Sequence, residues 1–376
     1  MAQPPPEPTP LPSPPNDGVT SLAYLPQSID QTSNDNRQLL ASTSWDGALR
    51  IHDTIAKSHL TTQVMECGPI LSMAVPSTSS ATAGNGAVIT GGMDGSIKQF
   101  DISSSSMSLI GLHAPTATAA DAKKVACSCL SSLGESNPNL IASAGWDGNF
   151  YLWDVRSSGG KAVSTLELPG KAFSMDASRD GTKVVVATSG RRMCFFDIRK
   201  NALENAADDD DGEDKENSIA KLLVDRESSL KFQTRCVKFF PDGVGMAVGS
   251  IEGRVAIEYL DDIDIQSGKK KYAFKCHRVN DTIYPVNSIS FHPILGTFAT
   301  GGADGTVVTW DGANKKKLST IAKLPTSIAC LAFNDDGSQI AMASSYTFEE
   351  GERDHPRDEI YIRDVLESEI RPKGAK

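Results

Sequence analysis

"ASAGWDGNFYLWD", Ala142 to Asp154, sets an aspartate-glycine pair between two β-rich runs and closes on Trp-Asp, with Asp147 and Asp154 seven positions apart. The same spacing separates Asp46 from Asp53 in "SWDGALRIHD", Asp94 from Asp101 in "GMDGSIKQFD" and Asp304 from Asp311 in "GADGTVVTWD". In each phrase a run such as "LIASA" leads into the turn and an alternating run such as "NFYLWD" leaves it. Asp-Gly tolerates the positive φ of a tight hairpin, so each phrase reads as two antiparallel strands and their turn.

Ahead of each hairpin lies another short apolar strand: "GVTSLAYLP", "GPILSMAVP", "KVACSCL", "KAFSMDAS", "TRCVKFFPDG", "YPVNSISFHP" and "TSIACLAFNDDG". These give seven units spaced by roughly 40 to 60 residues, the repeat length and strand content of four-stranded propeller blades. On those phrases the chain resembles the WD-repeat family over nearly its whole length. The expected fold is all-β, a seven-bladed WD-repeat β-propeller over residues 17–366. A proline-rich segment, 1–16, precedes it, and a tail, 367–376, follows. Closure of the last blade falls either to residues around Leu11 or to the C-terminal "ESEIRPK".

Composition narrows the function. A net charge of -10 argues against general nucleic-acid affinity. The seven cysteines include no C-x-x-C pair and lie mostly in apolar runs, so they read as reduced core thiols without a disulfide or zinc framework. No apolar run reaches the ~18 residues of a membrane span. The six histidines are scattered, and no Ser-His-Asp spacing, metal cluster or phosphate loop emerges; no catalytic site and no cofactor is expected. The insert 202–218, "DDDDGEDKEN" at its centre, is too charged to bury and reads as a disordered loop that carries a KEN tripeptide. "SYTFEEGERDHPRDE", Ser345 to Glu359, enlarges the last hairpin.

The departures from the repeat gather at the end of the blades that carries the Asp-Gly turns. Trp45 and Trp146 stand at turn positions held by Met93 and Ala303 elsewhere, as packing residues or as recognition residues. Blade five writes "GSIEGRVAIEYL", with Glu252 and Arg254 at its turn and Arg235 in "QTRCVKFF", where blades six and seven have Asn287 and Ala329. Blade four writes "ATSGRRMCFFD", which, aligned on the closing aspartate, reads as two residues shorter, with Arg191 and Arg192 replacing the turn. Four guanidinium groups are thus expected close together. Either local carboxylates such as Glu252 or Asp176 neutralise them, or they form a socket for a carboxylate cluster or phosphoryl group, which planar forks bind bidentately. Lys231 in "SSLKFQTR" stands near in sequence.

"RESSLKFQTRC", "SIEGRVAIEYL", "KKKYAFKCHR", "YPVNSISFHP", "PTSIACLAF" and "ASSYTFEE" together resemble the WD-repeat mitotic checkpoint proteins of the budding-uninhibited-by-benzimidazole group. Their relatives are the WD-repeat messenger-RNA export factors of the nuclear pore. The match is dense from Arg226 to Tyr346 and looser in blades one to four. The resemblance implies a non-catalytic scaffold of the nucleus, and of the kinetochore in mitosis. It implies binding of GLEBS segments of the checkpoint kinase and its inhibitor relative, and of threonine-phosphorylated MELT repeats of a kinetochore scaffold. Carried over by motif, Arg235 and Arg254 would meet the phosphothreonine and Trp45 the apolar residues of the MELT peptide; Lys231, by its place in the chain, either adds to that socket or stays solvated. Trp146, Arg191, Arg192 and Glu252 would serve the partner segment. No direct DNA contact, RNA contact or membrane contact is implied. The alternative is an export adaptor that binds a nucleoporin GLEBS segment, with RNA on a neighbouring basic surface.

Overall fold

The structure, a computed structural model, describes residues 5–26, 37–76, 86–113, 125–157, 160–198, 220–259 and 271–374. Its strands form seven four-stranded antiparallel sheets and one small hairpin, Arg278–Val279 with Thr282–Ile283. The fold is a seven-bladed β-propeller, as the repeats predict. The chain groups into two compact units, Met1–Ile70 with Phe232–Lys376, and Leu71–Lys231. The first holds blades one, five, six and seven; the second holds blades three and four and nearly all of blade two. The acidic insert 202–218 with its KEN tripeptide lies outside the described residues.

Burial explains the strand sequences. Second strands such as Ala87–Gly92, Leu140–Gly145 and Gly245–Ser250 are buried along their whole length. A sheet covered on both faces requires continuous apolar or small residues, not alternation. Outer strands such as Ser58–Val64 and Lys221–Glu227 alternate towards water at the rim. Blades three and four meet through Phe150 and Phe196, both fully buried, with ring centroids 4.3 Å apart. Blades two and three need the absence of a side chain at Gly111, where a Cβ would fall 2.3 Å from the Trp153 ring.

Thr9–Pro10 supply the outer strand of blade seven, paired with Glu359–Asp364 through Thr9↔Ile362, and Leu11 N–H donates to Ile360 O at 2.8 Å. The N-terminal alternative is therefore the one realised. The other terminus forms a short helix, Glu367–Ile370, whose Glu369 makes a bidentate pair with buried Arg363 at 2.7 and 2.8 Å. The Arg363 Nε–H also reaches Pro6 O at 2.8 Å, so one guanidinium ties both ends of the chain.

The repeated turn is a three-residue loop. In blade one Gly47 N–H donates to Ser44 O at 3.2 Å, Gly47 alone takes a positive φ (+77°), and Asp46 Oδ1 accepts the Ala48 N–H at 3.0 Å. Blades two, three and six repeat that aspartate bond at 2.9, 3.1 and 3.1 Å. The aspartate therefore acts through its side chain, and the glycine supplies the left-handed residue that ends the turn.

Blade four corrects the alignment made on the sequence. Its pairings Ala172↔Thr188 and Ala187↔Met193 match Cys127↔Gly145 and Ala144↔Phe150 in blade three. Ser189-Gly190-Arg191 is thus as long as Trp146-Asp147-Gly148, and nothing has been deleted. Arg191 holds the glycine position with φ +63°, and Arg192 opens the third strand as Arg254 does in blade five.

Candidate functional site

In six blades the innermost strand carries a register shift at its second residue. The residue that bulges is Thr20 in blade one, Ser128 in blade three, Phe173 in blade four, Arg235 in blade five, Asn287 in blade six and Ala329 in blade seven. A bulge re-aims one side chain away from the sheet's alternation. The sequence alignment of Arg235 with Asn287 and Ala329 is therefore structural. Where the bulge residue is Ser128 or Asn287, it donates to the backbone of the next blade, at Ala172 O (2.8 Å) and Ile328 O (3.1 Å). Arg235 is too long for that bond and stays exposed, its Nε–H donating to Asn287 Oδ1 at 3.3 Å.

The turn of the same blade, Ile251-Glu252-Gly253, keeps the loop length and the left-handed glycine (φ +61°) but has glutamate at the aspartate position. One methylene longer, the Glu252 carboxylate lies beside Arg254, with Oε2 3.3 Å from Nε. The Glu252 side chain is only 13% exposed and faces inward, while Arg254 is 35% exposed. Arg278 braces the loop from beneath, donating to Glu252 O at 2.9 Å. Among the described residues, six buried side-chain atoms lack a hydrogen-bond partner; three of them, Thr234 Oγ1, Glu252 Oε1 and Arg254 Nε, belong to this end of blade five. An unpaired buried polar group costs about 1 to 3 kcal/mol, so the cluster lowers stability.

The other arginines singled out by the sequence are engaged. Arg192 forks onto Asp225 at 2.9 and 2.8 Å, and Arg191 pairs with Glu227 at 2.6 Å and donates to Leu230 O at 3.0 Å. These two carboxylates, on the outer strand of the same blade, were not among the neutralisers expected from the sequence. Trp146 is half-buried, Lys231 is exposed, and Trp45 is 41% exposed, its backbone N–H donating to Gly18 O at 2.9 Å.

Comparison with known proteins bears on the repeat and the family. The family model "WD domain, G-beta repeat" matches residues 11–53, 121–154 and 268–311. The chain is similar to "Mitotic checkpoint protein bub3" of Dictyostelium discoideum, 37% identical over 95% of this chain and 94% of that protein. It is also 37% identical to "Mitotic checkpoint protein BUB3.1" of Arabidopsis thaliana over 96% of this chain and 94% of that protein. To "Poly(A)+ RNA export protein" of Schizosaccharomyces pombe it is 30% identical over 96% of this chain and 92% of that protein. The chain belongs to the Bub3 family of WD-repeat proteins.

This Bub3-family propeller also holds a constellation that sequence reading missed. His113 Nε2 is 2.7 Å from Ser143 Oγ, and its Nδ1 is 3.5 Å from Asp147 Oδ2. In outline this is a nucleophile, base and carboxylate. Ser143 and His113 are nevertheless buried, and the Ser143 oxygen is also taken by Trp153 Nε1–H at 2.8 Å, so no substrate reaches it. Blade six repeats the set with His277, Thr300, Trp310 and Asp304 at 2.8 to 2.9 Å. Burial alone would raise the Asp304 pKa, but the His277 and Thr306 hydrogen bonds outweigh it and hold the carboxyl below its usual value. The histidine ends the preceding blade and the aspartate sits in the next turn, so the set clamps blade to blade. The signal in the sequence was a histidine 27 or 34 residues before the turn aspartate, in "KCHR" and "GLHAP". The cysteines behave as core: burial pushes Cys129 and Cys236 up to about 12. Among the described residues no group of three or more His, Cys, Asp or Glu is placed to hold a metal, and no helix is long and apolar enough to cross a membrane.

Proposed function

We propose that this propeller works in the spindle assembly checkpoint as a non-catalytic scaffold in the nucleus and at unattached kinetochores. In this reading Arg235 and Arg254, with Lys231 and Trp45, receive threonine-phosphorylated MELT repeats of a kinetochore scaffold. Trp146, Arg191 and Arg192 meet GLEBS segments of the checkpoint kinase and its inhibitor relative. The observation that carries the reading is the chemistry of blade five. Arg235 is exposed with a neutral partner, Asn287, and Arg254 keeps a third of its side chain in water beside a carboxylate with which it makes no aligned hydrogen bond. A phosphothreonine brings about -1.5 to -2 charges and three acceptor oxygens, matched to such forks. Glu252, 3.3 Å from Arg254, serves the partner segment in the same reading.

The deciding experiment is calorimetric titration of a phosphorylated Met-Glu-Leu-Thr peptide, beside its unphosphorylated twin, into wild type and an Arg235→Ala, Arg254→Ala double variant. Each charged hydrogen bond contributes about 1.5 to 3 kcal/mol, so the double variant should bind at least 100-fold more weakly. Equal affinity for the two peptides would refute the reading. The similarity to an RNA export protein supports a second reading, an adaptor that binds a nucleoporin GLEBS segment. Its sign would be GLEBS binding without phosphopeptide binding, together with RNA association that weakens steeply with salt.

A further inference from the structure

The enlarged connection of blade seven winds around Tyr346. That ring is buried, its hydroxyl donates to Gly351 O at 2.9 Å and accepts the Glu350 N–H at 2.9 Å, the Arg353 guanidinium lies 4.7 Å from its centroid, and His355 packs at 5.1 Å. Against this anchor stands Phe348, stacked on Tyr346 at 5.5 Å yet 64% exposed. Its φ is +62°. The left-handed region is unfavourable for a bulky side chain, and an exposed ring recovers little burial in return. Folding alone would favour glycine or asparagine there.

The place of this residue gives the strain a use. Thr347 Oγ1 accepts from Asn287 Nδ2 at 3.2 Å, and Asn287 Oδ1 is the partner of Arg235. Thr347 also donates to Glu349, which accepts from Ser327 at 2.8 Å. At its other end, Ser345 Oγ accepts the Val19 N–H at 3.0 Å, next to Gly18, whose carbonyl holds Trp45. One hydrogen-bonded track thus runs from Arg235 through Asn287 and Thr347 back to the strand beside Trp45, and Phe348 projects from it.

We infer that Phe348 is an apolar docking residue for the same phosphopeptide, receiving an aliphatic side chain within about three residues of the phosphate along an extended chain. The inference rests on the phosphopeptide reading above. It names the ligand further: an extended segment whose phosphorylated residue lies on Arg235 and whose flank towards blade seven is aliphatic. Asn287 and Thr347 are positioning residues that fix the spacing between the anion contact and the ring.

The test is Phe348→Asn, which accepts the same backbone and removes the ring. Its Tm should rise above wild type while its affinity for the phosphorylated Met-Glu-Leu-Thr peptide falls about tenfold. Replacing the aliphatic residues of the peptide by alanine in turn should find one that weakens wild type about tenfold and leaves Phe348→Asn unchanged, the signature of a direct contact. Unchanged affinity in Phe348→Asn, with phosphate dependence intact, overturns the inference and spares the phosphopeptide reading. A lower Tm together with lost affinity makes Phe348 a structural residue and overturns it too. Loss of phosphate dependence in wild type removes both, and the Arg235→Ala variant tells the cases apart.

Discussion

Blades five and six are neighbours in one unit and build the same three-residue turn from different chemistry. In blade six, Asp304 accepts from His277, from the Thr306 N–H and from the Thr306 hydroxyl, and Trp310 and His277 share Thr300. Every polar group there is spent within the fold. In blade five, Glu252 replaces the aspartate, no histidine arrives, and Thr234, Glu252 and Arg254 each keep a buried atom without a partner. A satisfied network stabilises; one left short of partners costs stability, and in blade five it leaves the exposed part of the Arg254 guanidinium for a ligand.

The comparison breaks most sharply at Asp304. Asp304→Ala removes the acceptor for His277 and the turn together, and should destabilise the protein by about 3 kcal/mol, read by chemical denaturation. The paired change, Arg254→Ala, should move stability by no more than about 0.5 kcal/mol while weakening phosphopeptide binding by tenfold or more. If Arg254→Ala proved as destabilising as Asp304→Ala, the contrast between the blades would be gone. Glu252→Asp sharpens it from the other side. The shorter carboxylate can accept the Arg254 N–H as Asp304 accepts that of Thr306, and should add about 0.5 to 1 kcal/mol of stability.

The smallest effect is in acid. Asp304 has its folded pKa below the usual 3.8, and Asp46 is held down to about 2, where burial, which raises it, is outweighed by Arg50 and Ser44. A depressed carboxyl contributes stability above its unfolded pKa and loses it as pH falls towards the folded value. Melting temperatures should therefore drop between about pH 4 and about pH 2 more steeply for wild type than for Asp304→Asn.

The fold was legible because the turn is local: Asp-Gly and the closing Asp lie within eight residues of one another, and hydrophobic runs bracket them. Arg235 was legible for a related reason, since bulge residues recur at one strand position and an arginine among Asn287 and Ala329 stands out. The blade four alignment failed where locality did. With neither aspartate nor glycine at the usual turn positions, only strand pairing shows that Arg191 fills a glycine place. The partners of Arg191 and Arg192 come from an outer strand beyond the acidic insert, more than 30 residues away, which no spacing within the phrase could reveal. The pairing of His113 and His277 with Asp147 and Asp304 was not legible because those aspartates belong to the following blade.

The outer strand Thr9–Pro10 and its partner Glu359–Asp364 lie far apart along the chain. During synthesis the first strand leaves the ribosome long before the residues it must pair with exist, so blade seven stays open until Glu359–Asp364 emerge. The pairing then closes a loop of about 350 residues, whose entropy cost grows only slowly with length. Two strand residues, Leu11 and the Arg363 bond to Pro6 fasten that seam. A substitution that breaks the Thr9–Pro10 pairing would therefore act on the last step of assembly.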